Sequence, residues 1–188
     1  MKDYFQPDFY RFNEDSILLS KEVVESISEA QKLLDIGAGC GVIGLEIAQQ
    51  IPVEKMILLE AQSEFIPYLQ KNVELFLPNK NIEIVNSAVS NFLDSDFDLI
   101  VCNPPYYLPG QGRPSKDLRR NIARNFVLDD WEILLNKIKS LLSPKGRAFV
   151  IVPSLKTVLS VVLEILLNQH FQIRQIKKKN FYVYELKL

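Results

Sequence analysis

A chain of 188 residues with 47% hydrophobic content suits one packed domain, and no apolar run approaches the length that spans a bilayer. The formal net charge of −1 gives no global attraction to nucleic acid, so any such case must rest on local clusters. Cys40 and Cys102 are the only cysteines and His170 the only histidine, which spells out neither a disulfide framework nor a metal site.

The chain opens with Lys2, Asp3, Asp8 and Arg11 among Tyr4, Phe5, Phe9, Tyr10 and Phe12. That mixture lacks the shape of a signal peptide, and the expected location is cytoplasmic. So many aromatics ahead of the first regular element predict an arm that packs onto the domain. Asp15 or Ser16 then caps a helix expected to run to about Ala30. Strand Lys32 to Ile36, helix Val42 to about Gln50, strand Met56 to Glu60, helix Ser63 to Leu77, strand Ile82 to Val85 and strand Phe97 to Cys102 follow. Helix Asp129 to Leu142, a turn at Pro144-Lys145-Gly146, strand Gly146 to Val152 and helix Ser154 to Asn168 continue the alternation. Trp131 reads as core or an interface anchor, the apolar run from Val158 to Leu163 as a buried helix face, and His170 as the end of a helix. Phe171 to Lys177 and Phe181 to Leu188, joined through lysines, read as a closing hairpin. Repeated β-α units predict an α/β domain over residues 1–188, with an arm and helix over 1–31 and the main fold over 32–188. Its sheet is mostly parallel, with helices on both faces and an antiparallel terminal hairpin.

Two stretches carry chemistry. Gly37, Gly39 and Gly41 lie between the strand ending in Asp35-Ile36 and the helix starting at Val42, where free N–H groups of the first helical turn face a ligand. A dinucleotide fingerprint places its third glycine at the sixth position, which here is Val42. Glu60 ends the next strand, where a carboxylate reaches both hydroxyls of a ribose, so the pair suits a nucleoside without a pyrophosphate. The second stretch is Asn103-Pro104-Pro105-Tyr106 at the end of a buried strand. Two prolines remove two backbone donors and fix two φ angles, leaving a rigid loop built to accept hydrogen bonds.

Asp35-Ile36-Gly37-Ala38-Gly39-Cys40-Gly41, Glu60 and Asn103-Pro104-Pro105-Tyr106 together resemble the class I S-adenosylmethionine-dependent methyltransferases. The resemblance implies a Rossmann-like fold of seven strands, with the cofactor held by Asp35, Gly37, Ala38, Gly39, Gly41, Glu60, Ala61, Ser87, Ala88 and Asn103. It implies Asn103, Pro104, Pro105 and Tyr106 as the catalytic loop, with Tyr106 also stacking on the target base. Such loops mark methylation of a nitrogen conjugated to a π-system. The segments Tyr10 to Leu19, Ile122-Ala123-Arg124 through Leu128-Asp129-Asp130, and Leu142 to Arg147 are similar to the tRNA N6-adenine methyltransferases that modify valine tRNA. The expected reaction is therefore methylation of an adenine N6 amine in tRNA. Many relatives carry an acid after the third strand to bind the cofactor's adenine, whereas this chain reads Asn86-Ser87-Ala88-Val89.

The same loop resembles protein glutamine-N5 methyltransferases acting on release factors, which usually carry a sizeable helical domain ahead of the catalytic fold; here about 31 residues precede the first strand. Guanine-N2 methylation of ribosomal RNA and a non-catalytic cofactor- or RNA-binding module are the other readings, and an intact Asn103 to Tyr106 loop argues against the last. Arg113, Lys116, Arg119, Arg120 and Arg124 follow the loop and are placed to contact acceptor phosphates, and Lys177-Lys178-Lys179 forms a second basic group. No metal and no membrane contact is expected. The sequence leaves monomer and dimer open.

Overall fold

The computed structural model describes residues 3–105, 116–122, 128–154 and 167–188. Helix α1 (Glu14–Ser26) leads into strand β1 (Ala30–Ile36), then α2 (Val42–Ala48), β2 (Val53–Glu60), α3 (Ile66–Phe76), β3 (Ile82–Asn86) and β4 (Phe97–Cys102). Short α4 (Leu118–Ile122), α5 (Leu128–Leu141), β5 (Leu142–Pro153), β6 (Gln172–Lys178) and β7 (Phe181–Lys187) complete the order. The seven strands form one sheet, β3-β2-β1-β4-β5-β7-β6, parallel except where β7 runs antiparallel to β5 and β6. This is the expected fold class.

The central strands are apolar on both faces and sort their side chains by parity. Leu33, Met56, Leu58, Leu99, Val101, Phe149 and Ile151 face one core with residues of α1, α2 and α3. Leu34, Ile36, Ile57, Leu59, Ile100, Cys102, Ala148 and Val150 face the other, filled by Trp131, Leu134, Leu135 and Ile138 of α5.

Several boundaries differ from expectation. Helix α1 stops at Ser26, because Ile27 turns extended (φ −127°, ψ 130°) and Ala30 already pairs with Val53 at the sheet. Its N-cap residue is Asn13, so Asp15 and Ser16 sit inside the first turn rather than capping it. The expected helix from Ser63 begins as a one-turn 3-10 segment, Ser63–Phe65, with Pro67 in the first α turn behind it. The helix expected from Ser154 to Asn168 lies almost wholly outside the described residues.

The predicted turn at Pro144-Lys145-Gly146 is present as an interruption in a longer strand. The β4–β5 ladder pairs Phe97 with Leu142 and then jumps to Leu99 with Arg147, so the residues between bulge out. A Cβ on Gly146 would lie 2.6 Å from the Phe97 carbonyl oxygen, a backbone atom that cannot move aside. Gly146→Ala is expected to cost about 1–3 kcal/mol, read as a lowered urea midpoint.

Lys178 reaches Glu22 at 2.7 Å and Glu25 at 3.1 Å, and Lys179 pairs with Glu14. Two lysines of the second basic group therefore tie the hairpin to α1. Arg147 completes the tie, donating to Glu185 Oε1 at 2.7 Å and to the Ser26 carbonyl at 2.8 Å.

Candidate active site

Ligands of open α/β sheets bind outside the carboxyl ends of the strands, where the strand order changes direction. Here that place lies between β1 and β4, since β2 and β3 lie to one side of β1 and β4 onward to the other. Register sets the details. Ile36 pairs with Leu59 on one side and with Cys102 on the other. The next residues along the three strands are Glu60, Gly37 and Asn103, so three stretches far apart in sequence emerge side by side. A cavity of about 350 Å³ opens over them, lined by Gly37, Ala38, Gly39, Glu60, Ala61, Ser87, Asn103, Pro104 and Pro105.

The glycine loop has the conformation that its composition demands. Gly37, Gly39 and Gly41 have φ of 71°, 55° and 81°, a region costly for any residue with a Cβ. Among the described residues nothing lies within 4 Å of where a Gly37 Cβ would stand, so that side of the turn is open to a ligand. Glu60 holds the loop in place: Oε2 accepts from Gly39 N at 2.8 Å and Oε1 from Gln62 N at 2.8 Å. Burial pushes its carboxyl up, while the backbone N–H groups of Gln62 and Gly39 oppose the shift. An ionised carboxylate has about four lone-pair sites, so Glu60 can hold both amides and still accept from a ligand hydroxyl.

Three expected cofactor residues do not line the cavity. Asp35 shares the parity of Leu33 and is fully buried under α2, with Oδ2 accepting from Gly44 N at 2.9 Å. Gly41 turns the chain into α2, and a Cβ there would stand 2.6 Å from a Leu69 methyl carbon and 3.1 Å from one of Leu45. Ala88 lies between Ser87 and Val89, which do reach the cavity. Asn86 spends its side-chain amide on the carbonyls of Glu60 (2.8 Å) and Ala61 (3.2 Å), clamping β3 to β2, and Ser87 Oγ donates to the Ala88 carbonyl. That end of the cavity is shaped by Ala61, Phe65 and Val89.

Burial pushes the Asp35 carboxyl up to about 7, with the nearby Glu60 charge adding to the shift. The folded state therefore keeps a proton on Asp35 that the unfolded chain loses above roughly pH 4. Stability from this group is full below that value and is lost as pH rises through about 7. Asp35→Asn is expected to gain on wild type across that window, by up to about 4 kcal/mol, as read from urea titrations at successive pH values.

The aromatic arm closes one wall of the cavity, and sequence reasoning placed none of its residues there. Tyr10, Phe12 and Ser16 line it beside Phe65 and Leu134. Phe9 and Tyr10 pack edge-on against Phe65 at 5.3 and 5.4 Å. Asn72, fully buried, joins arm to loop: it accepts from Phe5 N at 2.8 Å and donates to the carbonyls of Phe5 (3.0 Å) and Cys40 (2.9 Å). The one available signal was the density of aromatics before α1; nothing local marks Asn72 among the polar residues of α3.

Of the basic segment, Lys116, Arg119 and Arg120 are described and exposed, while Arg113 and Arg124, like Tyr106 of the loop before them, lie outside the described residues. Arg119 pairs with Asp117 at 2.6 Å, and its guanidinium lies 4.4 Å from the centre of the Phe9 ring. Its carbonyl accepts from Gln62 Nε2 at 3.1 Å, which brings this segment to the arm and the rim of the cavity.

The family model of the methyltransferase small domain matches residues 11–185, nearly the whole chain. The chain belongs to that family. This methyltransferase domain is 33% identical over 144 residues to the tRNA1(Val) (adenine(37)-N6)-methyltransferase of Pedobacter heparinus, covering 76% of the chain and 60% of the relative. It is 36% identical over 135 residues to the enzyme of the same name from Shewanella sediminis, covering 68% and 54%. The domain thus spans little more than half the length of the curated relatives it matches. Among solved structures it superposes with a TM-score of 0.70 on a T. thermophilus 16S rRNA N2-guanine methyltransferase bound to AdoMet and guanosine, at 22% identity and covering 94% of this chain and 43% of that one. The TM-score is also 0.70 with the ribosomal protein L11 methylase of Lactobacillus delbrueckii, at 14% identity, covering 95% and 81%. At such identities these likenesses establish the class I methyltransferase fold.

Proposed function

We infer that the domain is an S-adenosylmethionine-dependent N-methyltransferase whose acceptor is the exocyclic N6 amine of an adenine in tRNA. The observation that carries the reading is the row of Glu60, Gly37 and Asn103 on adjacent strand ends beneath one cavity. The residues present suit the cofactor: an open glycine turn, a buried carboxylate at ribose distance along the fold, and an apolar wall of Ala61, Phe65 and Val89 for a purine. When bound, S-adenosylmethionine supplies a methyl group already activated by a sulfonium.

The protein's work is then orientation and charge. An exocyclic amine is a poor nucleophile because its lone pair is delocalised into the ring. Asn103 Oδ1 and the Pro104 carbonyl accept from its two N–H bonds, favour the pyramidal amine and stabilise positive charge as it develops. Holding the nitrogen in line with the methyl supplies the rest. Neither step calls for a histidine base. Tyr106 stacks on the base, and an unpaired loop nucleotide costs little to extrude.

The choice of tRNA over ribosomal RNA or a protein amide draws on the names of the curated relatives and on the arginines following the loop. Incubation with tritiated S-adenosylmethionine and, in separate reactions, total tRNA, ribosomal RNA or release factor tests it. Label recovered as N6-methyladenosine from digested tRNA supports this reading, and label confined to protein overturns it. Arg120 is exposed beside the rim and is assigned to a phosphate. Arg120→Ala is expected to weaken RNA binding uniformly and to reduce the slope of log affinity against log salt by about one, measured by filter binding.

A further inference from the structure

Resting on the reading of the acceptor as RNA, we propose that Arg11 of the aromatic arm is a further contact for it, holding a phosphate that flanks the target nucleotide at the mouth of the cavity. A base that enters a pocket leaves its sugar–phosphate backbone outside, so the flanking phosphates come to lie on the rim. Glu60 is the one carboxylate among the described residues of the wall, and it repels a polyanion. A cation on the rim offsets that repulsion and fixes the register of the strand.

Arg11 stands where such a cation is needed. Tyr10 and Phe12, on either side of it, line the cavity. Arg11 does not; its side chain is 64% exposed, outside the wall that its neighbours build. The backbone on both sides is pinned, with Tyr10 N donating to the Pro7 carbonyl at 3.2 Å and Phe12 N to Gln6 Oε1 at 3.0 Å. The guanidinium is not. Among the described residues its ion-pair partner is Asp8, fully exposed and 4.0 Å away, a contact worth little in water. Its charge also reaches inward, opposing the rise that burial and Glu60 give the thiol of Cys40, which lines the cavity. Arg119, by contrast, is held: Asp117 accepts from its Nε at 3.0 Å and from its Nη2 at 2.6 Å, and its guanidinium lies 4.4 Å from the centre of the Phe9 ring. A phosphate at Arg119 has to displace a two-pronged carboxylate, whereas one at Arg11 displaces a loose contact. The methionine carboxylate of the cofactor is an oxyanion too. The exposure of Arg11 favours the phosphate, since a cation serving the cofactor would line the cavity that holds it.

The test is filter binding of an unmodified valine tRNA transcript across a range of salt, with Arg11→Ala, Arg11→Lys and Lys80→Ala. Lys80 is exposed just ahead of β3, at the opposite end of the strands, and serves as the control. Arg11→Ala is expected to weaken binding about tenfold at low salt and to reduce the slope of log affinity against log salt by about one. Arg11→Lys is expected to keep the slope near wild type, and Lys80→Ala to leave affinity and slope unchanged. The Kd of S-adenosylhomocysteine, measured by calorimetry without RNA, is expected to stay the same in all three. A slope reduced as far in Arg11→Lys as in Arg11→Ala makes the effect one of shape and overturns the proposal. A loss in Lys80→Ala as large as in Arg11→Ala makes it one of overall charge and overturns it as well. A raised S-adenosylhomocysteine Kd in Arg11→Ala with the RNA slope intact assigns the residue to the cofactor carboxylate and overturns it too. If the wild-type protein shows no salt-dependent binding of tRNA, the reading of the acceptor falls and the proposal with it. If wild-type binding is steep in salt and Arg11→Ala leaves it unaltered, the proposal alone falls.

Discussion

Asn103→Ala is expected to lower kcat for methyl transfer by about 10²–10³-fold while S-adenosylmethionine binds nearly as before. The split follows from where the side chain stands. Asn103 is the first residue past β4, beside Gly37, and its amide reaches Ser16 rather than the glycine loop or Glu60. On the proposed mechanism, removing it takes one of two acceptors away from a developing positive charge and leaves the Glu60–Gly39 contact untouched. Pro104 and Pro105 keep the backbone rigid, so the Pro104 carbonyl stays in place and accounts for residual activity. Calorimetric titration of cofactor set beside steady-state rates separates the two effects. Equal loss of binding and of turnover would assign Asn103 to the cofactor instead.

Glu60→Gln is expected to have the reverse signature, weakening cofactor binding by about 100-fold. The carboxylate accepts from Gly39 N and Gln62 N, and on the proposed reading its remaining lone pairs meet the ligand. A carboxamide of the same shape has one accepting end, so either Gly39 or Gln62 loses its partner inside a site that is 6% exposed. The glycine turn loosens and one ligand hydroxyl meets a donor where it needs an acceptor. Turnover at saturating cofactor should fall far less than affinity does. The same calorimetry checks this, with equilibrium unfolding to confirm that the variant is folded.

The residues proposed to perform chemistry were legible because their types are tied to backbone geometry. Alternating glycines announce positive φ, two prolines announce a rigid acceptor loop, and Glu60 sits one β-α-β unit beyond the first strand. All three converge at the strand ends, and the ladder shows why: Leu59, Ile36 and Cys102 are paired in one row. What sequence could not provide was the side of each strand. Asp35 stands two residues before Gly37 and reads as a site acid, yet strand parity turns it beneath α2, where it caps Gly44. Ala88 is implied by the resemblance alone, and of the residues leading into the short 3-10 turn at Val89–Asn91 it is Ser87 and Val89 that line the cavity. Lys178 and Lys179 read as part of a charged patch because their acids, Glu14, Glu22 and Glu25, are far away in the chain. The same limit hid Asn72 and Ser16. Each makes its contact at long sequence separation, for which no local pattern exists.

A crystal structure of the domain with S-adenosylhomocysteine tests the central claim most directly. The row of strand ends predicts the ribose hydroxyls on Glu60, the purine between Ala61, Phe65 and Val89, and the sulfur turned toward Asn103 under the aromatic arm. Ligand bound elsewhere, or in this cavity with its sulfur directed away from Asn103, would contradict it.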